Sequence, residues 1–491
     1  MNNPVAEMSS DLAASTATTT SSTYPYLRHL PLFRERQDPE FFKIFDVVNA
    51  LPLDDTHCHL VTDRDAITTP QRYLERISLA GYPFPNYFPA GIYNRWLTGD
   101  EATRHDLDKT YGIQAKVDEM TYHLSQSIFI KFLTKELAQF LNCEPRFEAV
   151  IEARNDRGLD YWSYVNALFR NVNLENIMLD TGYHESCGRP AIERFEEAIL
   201  PCRTHRIARI EEIQRELFSM DISFDEFESL YVKRLLDVMD GTGNFGKKSV
   251  GMKSYLLPHI GLIEPLYDRT LAAKSWNAMR KSYAELPFME RQAAFNVSKD
   301  LRRYTFTMTL EECLKRDMPM QIHTGDGEAP EVILRNQDPF YLEEVVRFDK
   351  DNMMRMPKII PLHAGYPSVG KAAWLSHLYP NCYFELSIMT PFVHQSLYDR
   401  YKQVMEAVPL SKILFASDNY HVPELFWLAG RWGKRYLAKA LTDYVVGGSL
   451  TFDEAIEAAR MILYKNNRAV YNLRDVGFEC SHTSVAHYSS E

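Results

Sequence analysis

Two histidines two residues apart mark the first place where this chain could do chemistry, in Asp54-Asp55-Thr56-His57-Cys58-His59. Alternate residues of an extended strand share a face, so His57 and His59 would stand about 6.6 Å apart at Cα and could grip one metal ion together. Cys58 would face the opposite way. Further along, His323 closes MPMQIH, His363 closes KIIPLH and Asp418 closes ILFASD. Imidazoles and a carboxylate supplied by separate apolar segments make a donor set that borderline divalent ions favour. Zinc is the first expectation, with Mn or Fe as alternatives and with one or two ions. A metal held by His57, His59, His323 and Asp418 would lower the pKa of its water toward about 7. Asp418 would accept that water's proton and return it to a leaving group, and with one metal bound His363 would polarise a carbonyl or take a proton.

These residues need elements to position them, and eight short apolar segments read as strands. They are Leu51–His57, Leu174–Asp180, Arg206–Glu211, Ser249–Ser254, Met318–His323, Lys358–His363, Cys382–Ser387 and Ile413–Asp418. Helical patterns at Pro339–Phe348, Gly370–Leu378 and Ser396–Ala407 alternate with the later ones. Strand–helix alternation over eight strands predicts an α/β fold of the (β/α)8 TIM-barrel type, whose catalytic groups sit at the C-terminal strand ends. Residues 60–171 form a large insertion after the first strand. Its amphipathic stretches, such as Val117–Leu141, predict a helical elaboration over the barrel mouth or at an oligomer contact. Thr451–Leu473 opens with a cap signature and predicts a C-terminal helix pair. The expected organisation is a disordered Ser/Thr/Ala-rich tail over 1–24, one barrel over 25–475 and a tail over 476–491. Near the mouth, Arg209 and Glu211 on the third strand, Asp326 and Glu328 after His323, and Asn419, Tyr420 and His421 after Asp418 could contact substrate or serve as loop caps. Arg209 and Asp326 are the substrate-binding candidates among them.

Composition narrows the partners. The 491 residues carry 55 Lys+Arg against 66 Asp+Glu, a formal charge of −11, which excludes a protein whose affinity rests on neutralising phosphates. A small-molecule substrate is expected, with no nucleic acid and no membrane, and a homo-oligomer. No apolar run reaches the roughly 18 residues that a spanning helix needs. Residues 1–24 lack the basic start and apolar stretch of a secretion signal, and seven scattered cysteines without a CxxC suit a reducing compartment, so a cytoplasmic location is expected.

The stretches LENIMLDTGY, RIARIE, VGMKSYLLPHIGL, MPMQIHTGDGE, RNQDPFYLEE, IIPLHAGYP and ILFASDNYHVPELFWLAG carry a resemblance. Together they resemble the amidohydrolase superfamily of metal-dependent hydrolases, and within it the amidohydrolase-like half of FluG-type and nodulin/glutamine synthetase-like proteins. The resemblance spans roughly Pro52–Leu473. It implies HxH on the first strand (His57, His59), histidines on the fifth and sixth (His323, His363) and an aspartate on the eighth (Asp418). Lys253 falls where many members carry a carbamylated lysine bridging two metals; if carbamylated it would place His363 with His323 on a second ion. It could equally neutralise a substrate carboxylate. The FluG-type pattern has Tyr-Arg before Gly-Leu, but here Pro258-His259 stands near Gly261-Leu262, so His259 becomes a substrate-binding candidate with altered charge. The implied reaction is metal-assisted hydrolysis of an amide or related C–N bond in a small, anionic substrate. A metal-dependent non-oxidative decarboxylase is the alternative. A uronate-isomerase-like activity, suggested by Trp96–Glu101, and a non-catalytic scaffold stand behind it.

Overall fold

The computed structural model describes residues 39–473 except 79–83, 85–87, 90, 183–187, 200, 243–246, 286–297, 326–332 and 348–355. Eight parallel strands run in chain order: β1 Leu53–His59, β2 Leu174–Asp180, β3 Arg203–Arg209, β4 Ser249–Ser254, β5 Met320–Ile322, β6 Ile359–Pro361, β7 Phe384–Glu385 and β8 Ile413–Leu414. The first six make one sheet and the last two pair with each other. A bridge between Ile359 and Cys382 joins the groups. The ring closes where Thr56 N–H donates to Phe415 O (3.0 Å), Asp418 N–H to His57 O (2.9 Å) and His59 N–H to Asn419 O (2.7 Å). This is a (β/α)8 barrel with helical additions.

Strands β5 to β8 stop short of the residues that the apolar pattern assigned to them. Pro361 has no N–H to donate, and His363 and Asp418 turn into the left-handed region at φ 65° and 54°. Regular strand pairing therefore ends before each functional side chain, while single backbone bonds continue past it, from Leu362 N–H to Ile322 O (2.9 Å) and from His323 N–H to Ser254 O (3.0 Å). The third strand is shifted as well: it starts at Arg203, and a helix begins at Ile210. Glu211 is thus in the first turn of that helix rather than on the strand, where its charge suits the helix N-terminus. Its Oε1 accepts from Ser254 Oγ (2.9 Å) and Tyr255 N–H (2.8 Å).

Successive residues of β2 serve two cores. Ile177 and Leu179 join the large cluster under the helices, whereas Met178 packs with Ile207, Ile360, Leu362 and Leu414. Val470 and Tyr471 belong to that second cluster, and the Tyr471 hydroxyl accepts from Gln321 Nε2 (2.8 Å). The C-terminal segment is one continuous helical run rather than a pair. Thr451 and Glu454 form a capping box, and a π-helical stretch at Met461–Lys465 leads into Asn466–Val470. The cause is a barrel backbone group: Phe415 N–H donates to Ile462 O (3.1 Å), which removes that carbonyl from the α-helical ladder.

Residues 60–171 contain seven α-helices among the described residues: Pro70–Ile77, Ile92–Thr98, Glu101–Tyr111, Ile113–Ser125, Ile128–Leu141, Phe147–Gly158 and Tyr161–Asn171. The amphipathic Val117–Leu141 stretch is broken because Ser127 caps a new helix, accepting from Ile130 N–H. One part of the insertion has a small core of its own, containing Phe84, Tyr93, Ile113, Val117 and Leu124. The other part packs on the 23-residue helix Glu424–Val446 that follows β8. Buried ion pairs fix that contact: Arg154 with Glu424 (2.7 Å), and Glu136 with both Arg431 and Arg435. Gly430 lets the same helix lie on β1, because a Cβ there would stand 2.8 Å from Leu53 Cδ2 and from Val172 Cβ.

Removing one partner of a buried ion pair strands the other charge. Glu136→Ala, which takes the shared carboxylate away from Arg431 and Arg435, is expected to cost about 3–5 kcal/mol in urea unfolding. A loss below about 1 kcal/mol would contradict the pairing described.

Candidate metal centre

The strand ends converge on a buried group of titratable side chains. His57 Nε2 and His59 Nε2 each lie 3.2 Å from Asp418 Oδ1. His59 Nδ1 is 3.9 Å from Asp180 Oδ2, at the end of β2. Lys253 Nζ lies 3.1 Å from His57 Nε2 and 3.6 Å from the same Asp180 oxygen. Two triads, His57/His59/Asp180 and His57/His363/Asp418, each bring one candidate ligand atom per residue within 4.8 Å of the others. His323 belongs to neither; its Nδ1 is 3.0 Å from His363 Nε2.

Burial and charge set the protonation states. Burial, helped by the Lys253 ammonium, lowers His57 to about 3, and burial lowers His59 to about 3 as well. Burial, with His323 and Lys253 beside it, holds His363 well below the ordinary histidine value. Burial alone would raise Asp180, but Arg209 (2.5 Å) and Lys253 outweigh it and hold the carboxyl well below the usual range. The imidazoles are therefore neutral near pH 7, and Asp180 spends its charge on Arg209 and Lys253. Donor atoms bonded at about 2.0–2.2 Å to one ion stand roughly 3 Å apart. The 3.2 Å separations of His57 Nε2 and His59 Nε2 from Asp418 Oδ1 match that spacing. Neutral nitrogens and a carboxylate so disposed fit a divalent cation.

Sequence comparison bears on the same strand ends. An amidohydrolase family profile matches residues 284–473, the stretch that carries His323, His363 and Asp418. Over these residues the chain is similar to the amidohydrolase family. It is 27% identical over 257 residues to protein fluG of Emericella nidulans, a match covering 49% of this chain and 28% of that protein. The matched region thus spans less than a third of that relative's length. Among solved structures, a protein from Lactobacillus casei assigned as a metal-dependent hydrolase is similar at TM-score 0.68 and 19% identity, covering 88% of this chain and 99% of its own. Uronate isomerases of Bacillus halodurans and Thermotoga maritima are similar at TM-score 0.58 and 14% identity, covering 90% and 93% of this chain and 98% and 100% of their own. At these identities the structural likenesses speak to the fold.

Of the amidohydrolase residues expected from the sequence, the fold brings His57, His59, Lys253, His323, His363 and Asp418 into one buried group. Arg209 is at the edge of that group, with its guanidinium on Asp180. His259 stands further out, its ring 5.3 Å from that of Tyr255, which is 4.4 Å from the His323 ring. Asp326 and Glu328 lie outside the described residues. His421 is bonded to Arg76 Nη1 (3.1 Å), which reaches in from the insertion. Cys58 faces the helix layer, with its thiol toward Met178 O. Among the described residues, no helix is long and apolar enough to cross a membrane.

Four residues absent from the sequence-based set also belong to the site. Asp180 ends β2 as Asp418 follows β8, and that position was its signal. Asp55 is buried under the centre and accepts from the N–H groups of His57 and Ser417 and from the Ser417 hydroxyl; burial nevertheless raises it to about 7. Glu385 and Ser387 belong to β7 and the turn after it. Burial pushes Glu385 up to about 8, against the donors of Ser387 and His363 that converge on it.

A histidine held near 3 in the folded chain and near 6.5 when unfolded takes up its proton in the unfolded state first. Stability of the metal-free protein should therefore fall as pH drops from about 6.5 toward 3. His59→Gln should flatten this dependence in urea titrations at several pH values, and parallel slopes would contradict it. In equilibrium dialysis against Zn(II) or Mn(II), the His57→Ala/His59→Ala variant should retain less than about one-tenth of the wild-type metal; full retention would place the ion elsewhere.

Proposed function

We propose that the protein is a metal-dependent hydrolase that cleaves an amide or related C–N bond in a small anionic substrate. The placement of Asp418 carries this reading. One carboxylate oxygen stands between the two HxH nitrogens, and the other lies 3.7 Å from His363 Nδ1. A carboxylate with one oxygen at the candidate metal position and one toward a neutral imidazole suits the task of accepting a water's proton and passing it to the departing nitrogen. When bound there, a divalent ion supplies a water of lowered pKa and polarises the carbonyl. His57 and His59 would hold the ion with Asp418, and His323 would complete the set. His363 would hold a proton beside the reacting carbonyl.

Arg209 is a weak anion receptor in this arrangement, since Asp180 already neutralises it. Arg76, which the helical insertion sets on His421, is likewise matched by a carboxylate, Asp65 (3.3 Å). A uronate-isomerase reaction is the second reading, since two structural neighbours carry that name, although their likeness at 14% identity speaks to the fold alone. In the Trp96–Glu101 stretch, Trp96 and Leu97 are helical and Asp100 caps the next helix, accepting from Thr103 N–H.

A panel of N-acyl amino acids, γ-glutamyl amides, unsaturated carboxylic acids and uronates, read by mass spectrometry, separates these reactions. Amine release is expected; CO2 release or aldose-to-ketose conversion alone would replace the hydrolase reading. Asp418→Asn should lower kcat by at least about 100-fold. Turnover within about threefold of wild type would show that Asp418 carries no proton.

A further inference from the structure

Between the insertion and the segment that follows β7 lies a cavity of about 640 Å3, a volume that suits a drug-sized molecule. It is lined by Phe132 and Ala138 of the helix Ile128–Leu141, by Cys143 just after that helix and by His394 beyond β7. Among the described residues, no side chain of the metal centre lines it. Lys131 and Lys135 complete the lining, both exposed and one helical turn apart, and neither ammonium has an ion pair among the described residues. Like charges at that spacing repel slightly, and an anion between them would relieve the repulsion. The same lysines border a second cavity of about 580 Å3, but Asp118 and Glu148 line that one, and their carboxylates oppose an anion.

The lining also holds a polar atom that the chain leaves unused. The His394 ring packs edge-on against Phe132 (4.0 Å between centroids) and Trp432 (5.2 Å), and its Nε2 is buried with no hydrogen-bond partner among the described residues. Buried polar atoms are bonded in the great majority of cases, so an unpaired one in a cavity lining points to a partner from outside the chain. Burial lowers His394 to about 4, so near pH 7 the ring can donate or accept but adds no charge. The cavity thus combines apolar side chains, one uncharged polar atom and a cationic rim.

We infer that this cavity is a second ligand site, separate from the metal centre, for a small carboxylate with an apolar body of the medium-chain alkyl or aryl class. Its apolar part would lie among Phe132, Ala138 and Cys143, and its carboxylate between Lys131 and Lys135. A neutral apolar molecule would leave the lysines unused, and a compact polar anion would leave the apolar lining unused. Because one side of the lining comes from the insertion and the other from the segment after β7, an occupant would hold the two together.

Alkylation of Cys143 by iodoacetamide in the full chain, read from its own peptide by mass spectrometry, tests the site. Cys143 is partly exposed, whereas Cys58, Cys202, Cys313 and Cys382 are buried. Octanoate at about ten times its dissociation constant should slow the alkylation of Cys143 at least about fivefold, as mass action requires of a ligand that covers it. At the same concentration 1-octanol and acetate should each slow it less than about twofold. Lys131→Gln/Lys135→Gln changes two exposed side chains, so the variant should keep the wild-type circular dichroism and need at least about 10-fold more octanoate for the same protection. Equal protection by 1-octanol, or unchanged octanoate protection in the double variant, would overturn the carboxylate assignment. No protection by octanoate would overturn the site itself. Protection that rises with protein concentration alone, together with a dimer in sedimentation, would give the cavity to a second copy of the chain and overturn it as well.

Discussion

Closure between β1 and β8 is the constraint on which the rest of the molecule depends. His57 and His59 come from one end of the barrel sequence and Asp418 from the other, and backbone bonds from Thr56, His59 and Asp418 seal the seam between them. Beneath the seam, the Asp55 side chain bonds the backbone N–H groups of both His57 and Ser417, and Asn419 N–H donates to Ser417 Oγ (2.9 Å). Each bond that closes the barrel therefore also aims a candidate ligand. A carboxyl wholly buried in such a place needs its donors, because burying an unsatisfied polar group costs several kcal/mol.

Charge is distributed with the same economy. Asp180 is matched by Arg209 and Lys253, and the surrounding imidazoles are kept neutral by burial. Asp418 thus faces neutral imidazoles rather than a protonated ring, which is the electrostatic condition for a cation site. The left-handed backbone at His363 and Asp418 belongs to this design. Such conformations cost roughly 1–3 kcal/mol each and persist where the surroundings fix them, as the Glu385 bond to His363 N–H and the His57 bond to Asp418 N–H do here.

The long insertion is joined to the site through the helix that follows β8. Glu424 opens that helix six residues after Asp418 and takes both Arg154 and the Tyr164 hydroxyl from the insertion. Glu136 meets Arg431 and Arg435 two turns later. Docking of the insertion and placement of the last loop at the mouth are therefore one packing problem, and Arg76 on His421 lies where the two meet.

The sequence alone determined the barrel and most of its chemical groups. Parallel strands buried on both faces appear as short apolar runs, and polar residues at their ends stand out against them, so His57, His59, His323, His363 and Asp418 were legible. The segment Leu174–Asp180 matched its strand residue for residue because nothing at its end interrupts the ladder. What the sequence left open depended on non-local partners. Strand lengths at β6 and β8 were set by Pro361 and by backbone turned left-handed, and the π-helical stretch by a bond from Phe415, 47 residues away. Arg209 and Glu211 look alike as charges beside a strand, yet one is neutralised by Asp180 and the other anchors Ser254 and Tyr255. Glu385 lies within the apolar run Cys382–Ser387. Only the fold sets the His363 backbone N–H and the Ser387 hydroxyl against that acid, because the groups a buried atom faces are decided by packing and not by its place in the sequence.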